Sequence, residues 1–350
     1  SGGPAGYTYL WVAASAQPPA TATGLAAGTY TVTVFDDNLC SATASVTIGQ
    51  PDALTLSGVG TDVSCFGVSD GTITLTATGG TPPYSYDAGS GTVTGNVISG
   101  LAAADYVVTV TDSSPTGCTA TTVTITIGSP AAIVADASLV NDVSCNGFAD
   151  GSVTVTVTGG TQPFSYEWTD GNGNVVSTDP TAVGLPQGDY TVKVTDVNNC
   201  MGTSAAVTVN EPTVLSVSAT VALQYNGSAI SCFGAADGEA TAAGSGGTAP
   251  YSYAWSNGDN AALAEDLGAG SYTVTVTDDN GCTATATVTL VEPTQVVATI
   301  TGQTDETCNE NNDGTATVVG SGGTGGYTYL WDDASAQTTA TATGLAAGTY

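Results

Sequence analysis

The chain has 350 residues, with one Lys (Lys193), no Arg and no His against 31 Asp and Glu, a formal net charge of −30. Phosphate neutralisation needs clustered Lys and Arg, so nucleic acid and anionic membrane surfaces are disfavoured as partners, and histidine-based acid–base chemistry and His-ligated metals are impossible. Hydrophobic residues at 41% suffice for packed cores, while no apolar run approaches the roughly 18 residues of a membrane helix, so direct membrane insertion is not expected.

Taken in order, the chain repeats one set of landmarks about every 80 residues. Residues 1–50 carry Tyr7-Thr8-Tyr9, Trp11, Leu25-Ala26-Ala27-Gly28-Thr29-Tyr30, the acidic turn Asp36-Asp37-Asn38 and Cys40. Pro51 opens the next stretch, 51–129, with Cys65, Asp70-Gly71, a strand over 72–76, Gly79-Gly80, Tyr84-Ser85-Tyr86, Tyr106 and Cys118. Asp87 stands there where the other copies have Trp. Pro130 opens 130–211, with Cys145, a strand over 152–157, Phe164-Ser165-Tyr166, Trp168, Tyr190, Asp196-Val197-Asn198 and Cys200. Pro212 opens 212–292, which has an insertion at Tyr225-Asn226-Gly227, then Cys232, Tyr251-Ser252-Tyr253, Trp255, strands over 272–276 and 283–289, and Cys282. Pro293 opens 293–350, with Cys308, Asn309-Glu310, Tyr327-Thr328-Tyr329, Trp331 and Tyr350.

Self-similarity at a fixed period means an array of equivalent units. A second period lies above it, since residues 321–350 match 1–30 at 24 of 30 positions. The reading is a window cut from a longer array with a 320-residue super-repeat. Three whole repeats (51–129, 130–211, 212–292) are flanked by a C-terminal part-repeat (1–50) and an N-terminal part-repeat (293–350). Half a sandwich exposes its core, so the missing portions are expected from chain beyond both ends or from neighbouring copies.

Strict alternation, as in Thr72-Ile73-Thr74-Leu75-Thr76, is the mark of half-buried strands. Short strands every 8–12 residues over about 80 residues indicate a β-sandwich. Tyr30 and Tyr190, each closing a Leu-to-Tyr segment, look like tyrosine corners at the start of strand F, and the Trp residues fall at strand C. The fold class is therefore all-β: tandem immunoglobulin-like sandwiches in an end-to-end array. Gly-Gly pairs read as hairpin turns.

The set Val63-Ser64-Cys65-Phe66-Gly67, Asp70-Gly71, Gly79-Gly80-Thr81-Pro82-Pro83-Tyr84-Ser85-Tyr86 and Gly281-Cys282-Thr283-Ala284 resembles the SprB-type repeats of large Bacteroidetes surface adhesins, which are similar in appearance to polycystic-kidney-disease-type sandwiches. The insertion near Tyr225 and the Asn309-Glu310 that replaces Phe-Gly depart from the pattern. The resemblance implies cell-surface display through type IX secretion, with roles in adhesion and gliding.

Eight cysteines, two per repeat, lack any CxxC spacing, so disulfides in an extracellular setting are favoured over zinc. Strand topology restricts their pairing. In an immunoglobulin-like sandwich the A–B loop (Cys65, Cys145, Cys232) and the F–G loop (Cys118, Cys200, Cys282) lie at opposite ends, beyond the ~4.4–6.8 Å Cα separation a disulfide allows. Only an A–B loop and the F–G loop of the following repeat meet. The expectation is Cys65–Cys200 and Cys145–Cys282, with the other four cysteines seeking partners outside the window, and a stiffened array.

Tyr251, Tyr253 and Trp255 share one strand face. They could stack on sugar rings, which makes surface glycans a candidate partner and a carbohydrate-binding array the alternative function, but the core is the favoured place for them. Acidic turns could ligate Ca²⁺, with Asp70, Asp196 and Asn198 as the candidates at a shared junction, although Asp and Asn are ordinary turn formers. No other cofactor and no enzyme activity are expected. The leading function is a structural and adhesive extracellular fibre whose partners are further repeats or identical copies. With almost no ion pairs to screen and small cores, thermal stability should fall measurably on reduction and change little between low salt and 1 M NaCl; a large salt-induced drop in melting temperature would contradict this.

Overall fold

The computed structural model describes residues 6–12 and 20–350; residues 1–5 and 13–19 of the first part-repeat lie outside the described residues. Among the described residues every regular element is a β-strand. The chain divides into two compact units: Ser1–Val134 with Thr158–Phe164 and Thr195–Gly202, and Ala135–Val157 with Ser165–Val194 and Thr203–Tyr350.

In the first unit, β1 (Thr8–Trp11), β2 (Gly28–Phe35) and β3 (Ser41–Ile48) form one antiparallel sheet in that order. There follow β4 (Thr55–Thr61), β5 (Gly71–Thr78), β6 (Ser85–Asp87), β7 (Thr92–Thr94), β8 (Val97–Leu101), β9 (Ala104–Tyr106), β10 (Thr109–Thr111), β11 (Thr119–Thr121) and β12 (Ile125–Ile127). These make two layers, β4-β5-β8-β7 and β11-β10-β6, the second continued by β12-β9. Ile73, Leu75, Ile98 and Leu101 of one layer pack with Val108, Ile125 and Ile127 of the other. In immunoglobulin letters the layers are A-B-E and C-F-G.

Most of β13 (Val134–Asn141), β14 (Gly151–Thr158), β15 (Ser165–Asp170), β16 (Val175–Ser177), β17 (Thr181–Leu185), β18 (Gly188–Thr195), β19 (Met201–Thr203) and β20 (Val207–Val209) belongs to the second unit. They repeat the plan, with β13-β14-β17 as A-B-E and β16-β15-β18 as the C-F layer, β20 pairing β18. Next, β21 (Ser216–Val221), β22 (Gly238–Ser245), β23 (Ser252–Trp255), β24 (Leu263–Leu267), β25 (Gly270–Thr277) and β26 (Thr283–Leu290) give β21-β22-β24 and β23-β25-β26. Trp255, Leu267, Val274, Val276 and Leu290 fill the space between them. Last, β27 (Val297–Thr304), β28 (Gly314–Ser321) and β29 (Thr341–Leu345) form a single A-B-E sheet. Among the described residues β1-β2-β3 and β27-β28-β29 are thus each a single sheet.

Alternation decides the faces. Along β25, Val274 and Val276 are fully buried, while the outward hydroxyls pair across to β26 at Ser271–Thr289 (2.9 Å) and Thr273–Thr287 (3.1 Å). β2 and β3 carry the same ladder at Thr29–Thr47 (3.0 Å) and Thr31–Ser45 (2.9 Å). Neutral cross-strand pairs of this kind replace the charge pairs this composition lacks.

The tyrosine corner occurs in all five copies, the hydroxyls of Tyr30, Tyr106, Tyr190, Tyr272 and Tyr350 donating to the carbonyl oxygen four residues upstream at 2.8–3.1 Å. The Gly-Gly pairs do not close hairpins. Gly79-Gly80 carries the chain from β5 in one layer to β6 in the other, and Gly246-Gly247 does so between β22 and β23. Both glycines of each pair have positive φ, and a Cβ on the first would lie 2.1 Å from the carbonyl oxygen of Ala53 or Val214. That close approach to the start of strand A requires glycine.

Trp168 is completely buried and its Nε1 donates to Asp179 O at 3.1 Å. Trp168→Ala should cost about 3–5 kcal/mol, raising amide hydrogen exchange of β14 and β18 on the order of 10²-fold or more. Tyr190→Phe should cost only about 1 kcal/mol. Unchanged exchange in Trp168→Ala would show that the indole is not what holds the two layers together.

Candidate functional site

Each A–B loop is shaped by a carboxylate reaching back six residues. Asp70 accepts from the backbone N of Ser64 (2.9 Å) and from its hydroxyl (2.5 Å), and Val68 N donates to Cys65 O across the loop tip. Asp150 clamps Ser144 in the same way through backbone (2.9 Å) and hydroxyl. Asp237 holds Ser231 N at 3.1 Å and Asp313 holds Thr307 N at 2.9 Å. The hydroxyl of Ser64, and after it the backbone N–H, keeps the Asp70 carboxyl below the ordinary aspartate range; Ser144 does the same for Asp150. The six-residue Ser/Thr-to-Asp spacing recurs in four copies, a signal that was visible in the sequence and went unread.

The F–G loops use a different carboxylate. Asp196 Oδ1 accepts from the backbone N of Asn198 and Cys200, both at 2.9 Å, and Oδ2 accepts from Thr161 N at 3.0 Å. Burial pushes this carboxyl up, but the N–H groups of Cys200, Thr161 and Asn198 outweigh it and hold it below the usual range. Asp278 repeats the grip on Cys282 N and Thr248 N, both at 2.8 Å. These acidic turns are Asx turns that present a cysteine.

Within the first unit, Cys65 and Cys200 are joined with an S–S distance of 2.02 Å and Cα atoms 5.5 Å apart. Within the second, Cys145 and Cys282 are joined with Cα atoms 5.8 Å apart. Each bond runs from an A–B loop to the F–G loop of the following repeat. Around the second, Asn280 Nδ2 donates to Ser144 O at 2.9 Å, Asn146 Nδ2 to Pro212 O at 3.0 Å, and Gly147 N to Glu211 Oε2 at 2.8 Å. The A–B loop is therefore gripped by the inter-repeat linker and by the next F–G loop together. Ser144, Asn146, Glu211 and Asn280 were not singled out from the sequence, because each is an ordinary turn or linker residue until the loops are brought together.

The Cys65–Cys200 bond brings the loops of the calcium candidates Asp70, Asp196 and Asn198 to one junction. Both Asp196 oxygens already accept backbone hydrogen bonds there. Among the described residues no group of three or more His, Cys, Asp or Glu is placed to hold a metal ion. The strand-C aromatics Tyr251, Tyr253 and Trp255 belong to the core. Exposed aromatics sit instead beside the A–B cysteines, at Phe66, Phe148 and Phe233, each more than half exposed.

Two-layer A-B-E and C-F-G order, with a tyrosine corner in each copy, defines a tandem immunoglobulin-like β-sandwich protein. Within that class its repeats are SprB repeats: the SprB repeat family matches at residues 57–95, 137–173, 228–260 and 300–336, each stretch containing the A–B loop cysteine. No curated protein matches the chain in sequence. Among solved structures it is similar to a tetra-tandem repeat from the extending region of a large adhesion protein, at 16% identity over 81% of this chain and 91% of that one, TM-score 0.29. It is also similar to the eight N-terminal Ig domains of a Down Syndrome Cell Adhesion Molecule isoform, at 10% identity over 90% of this chain, TM-score 0.27. The chain covers 60% of that second structure.

The depressed carboxyls couple the junction to pH. A group whose folded pKa is lowered contributes stability that is complete above its unfolded value, about 3.9 for Asp, and that is lost as the pH falls through the folded value. Thermal unfolding of the oxidised chain should therefore be flat from pH 7 to 5 and drop below about pH 4. Asp70→Asn with Asp150→Asn should lower the melting temperature at pH 7 and shrink that acid-dependent drop. An undiminished drop would exclude these carboxylates as its source.

Proposed function

We propose that this chain is a load-bearing, adhesive segment of a secreted cell-surface fibre, with no catalytic role. The observation that carries the reading is the pair of covalent bonds from the A–B loops of Cys65 and Cys145 to the next repeat's F–G loop, which makes consecutive sandwiches resist separation. SprB repeats support display outside a Bacteroidetes-type cell, where type IX secretion and gliding would be the context. Persistent disulfides fit that oxidising exterior. A near-absence of Lys and Arg fits it too, since trypsin-like proteases find one site in the chain, Lys193. Further repeats of the same array are the proposed partners along the fibre.

The two bonds overlap in sequence, so three chain segments, 65–145, 145–200 and 200–282, run in parallel between the two cystines, and the shortest, 145–200, limits how far Cys65 and Cys282 can be drawn apart. Pulled from its ends by single-molecule force spectroscopy, the oxidised chain should reach a contour length shorter than the reduced chain by about 160 residues, on the order of 570 Å at about 3.5 Å per residue. Equal contour lengths would show that the bonds do not carry load, and the reading would fail.

A further inference from the structure

An open cavity of ≈ 420 Å³ lies in the second unit against the Cys145–Cys282 cystine. Three pieces of chain build it: the loop between β13 and β14, the residues that lead into β21, and the turn between β25 and β26. Both sandwiches that supply them have their two layers in place. The lining is mixed. Phe148, Val214 and Leu215 give an apolar wall, Asn146, Asn280 and Thr283 give amide and hydroxyl groups, and no Lys or Arg takes part.

Packing does not account for Phe148. Its ring is 57% exposed, so folding gains little from it. The chain has only five Phe, and three of them, Phe66, Phe148 and Phe233, stand exposed in A–B loops instead of filling a core. The backbone beneath the ring is fixed. Phe148 N donates to Cys145 O at 3.0 Å and Gly147 N to Glu211 Oε2 at 2.8 Å. An aromatic held in solvent by a rigid turn is a preorganised contact, since little freedom is lost when a ligand covers it. The polar groups are fixed as well, with capacity to spare. Asn280 Nδ2 donates to Ser144 O at 2.9 Å and to Thr248 Oγ1 at 3.1 Å, and Asn146 Nδ2 donates to Pro212 O at 3.0 Å. Among the described residues neither Oδ1 receives a hydrogen bond, and the exposed Thr283 hydroxyl has no partner.

We propose that this pocket binds a neutral glycan, with one sugar ring lying on Phe148 and its hydroxyls donating to Oδ1 of Asn146 and Asn280. A sugar ring is amphipathic. Its C–H face, polarised positive, suits the negative face of an aromatic ring, and its rim of hydroxyls suits fixed acceptors. A purely apolar ligand would leave those amide oxygens covered and unpaired, which is costly. An anionic ligand would meet a chain of net charge −30 with no cation in the lining. A protein partner needs about 800 Å² on each side, more than three apolar side chains around a small pocket provide. The inference rests on the adhesive reading above and names the class of ligand gripped. A single ring in an open pocket binds with a Kd on the order of 1 mM, and a polysaccharide meeting many such pockets gains avidity.

Amide NMR of the isotope-labelled, oxidised whole chain tests this, with cellohexaose, maltohexaose and mannohexaose as neutral probes and hexagalacturonic acid as the anionic one. At least one neutral probe should shift the signals of Phe148, Asn280, Gly281 and Thr283 with a Kd on the order of 1 mM, and the anionic probe should bind at least about tenfold more weakly. Phe148→Ala should weaken binding by more than about fivefold, whereas Phe148→Tyr should keep it. Thr283→Val, which removes only an exposed hydroxyl, should weaken it about threefold. The contour length of oxidised Phe148→Ala should equal that of the unchanged chain, so this inference can fail while the load-bearing reading stands. No shift with any neutral probe up to about 20 mM, shifts that persist in Phe148→Ala, or equal shifts from cyclohexanol would each overturn the proposal.

Discussion

Everything in this chain depends on burying one apolar face of a small three- or four-stranded sheet against another. A unit of about 80 residues has a limited core, and here charge cannot help. The one salt bridge among the described residues, Lys193 to Glu167 at 2.6 Å, joins two side chains that are each about 42–43% exposed, a setting where an ion pair is worth roughly 0–1 kcal/mol. Core residues such as Ile73, Leu75, Trp168 and Leu267 are therefore large and almost fully buried. The outer faces are left to Thr and Ser, which pair with each other across the strands.

What remains is concentrated at the loops. A carboxylate at the base of each loop does the work a cation would do elsewhere, since it collects backbone N–H groups and fixes the chain around them. Asp70 and Asp150 order the A–B loops, and Asp196 and Asp278 order the F–G loops. These four carboxylates each take neutral donors, backbone N–H groups or a serine hydroxyl. A cystine between two such pre-set loops is held by geometry on both sides, and Glu211 and Asn146 extend the grip to the linker.

Strand alternation, the tyrosine corners and the strand-C tryptophans made the sandwich class legible, because each depends on contacts within about 30 residues of sequence. Gly79-Gly80 was seen as a turn but not as a crossing between layers. Its reason, the close approach of Ala53 O, involves a strand 26 residues away that local turn chemistry does not encode. The acidic turns were legible as turns. Their hydrogen-bond partners across the loop base, Thr161 for Asp196 and Thr248 for Asp278, were not. Junction residues were the least legible, since Asn280 and Ser144 are 136 positions apart and nothing in either neighbourhood announces the other.

Because Cys145 lies between Cys65 and Cys200, and Cys200 between Cys145 and Cys282, the two covalent rings are threaded in sequence rather than set side by side. Any one peptide bond from residue 65 to residue 282 can then be severed without parting the molecule, because a detour through one cystine always remains. Lys193, where a trypsin-like enzyme could cut, falls inside both rings. A nick there leaves two fragments still tethered at two points. The material is redundant in the manner of a plied cord: damage to a single stretch is a local defect and not a break.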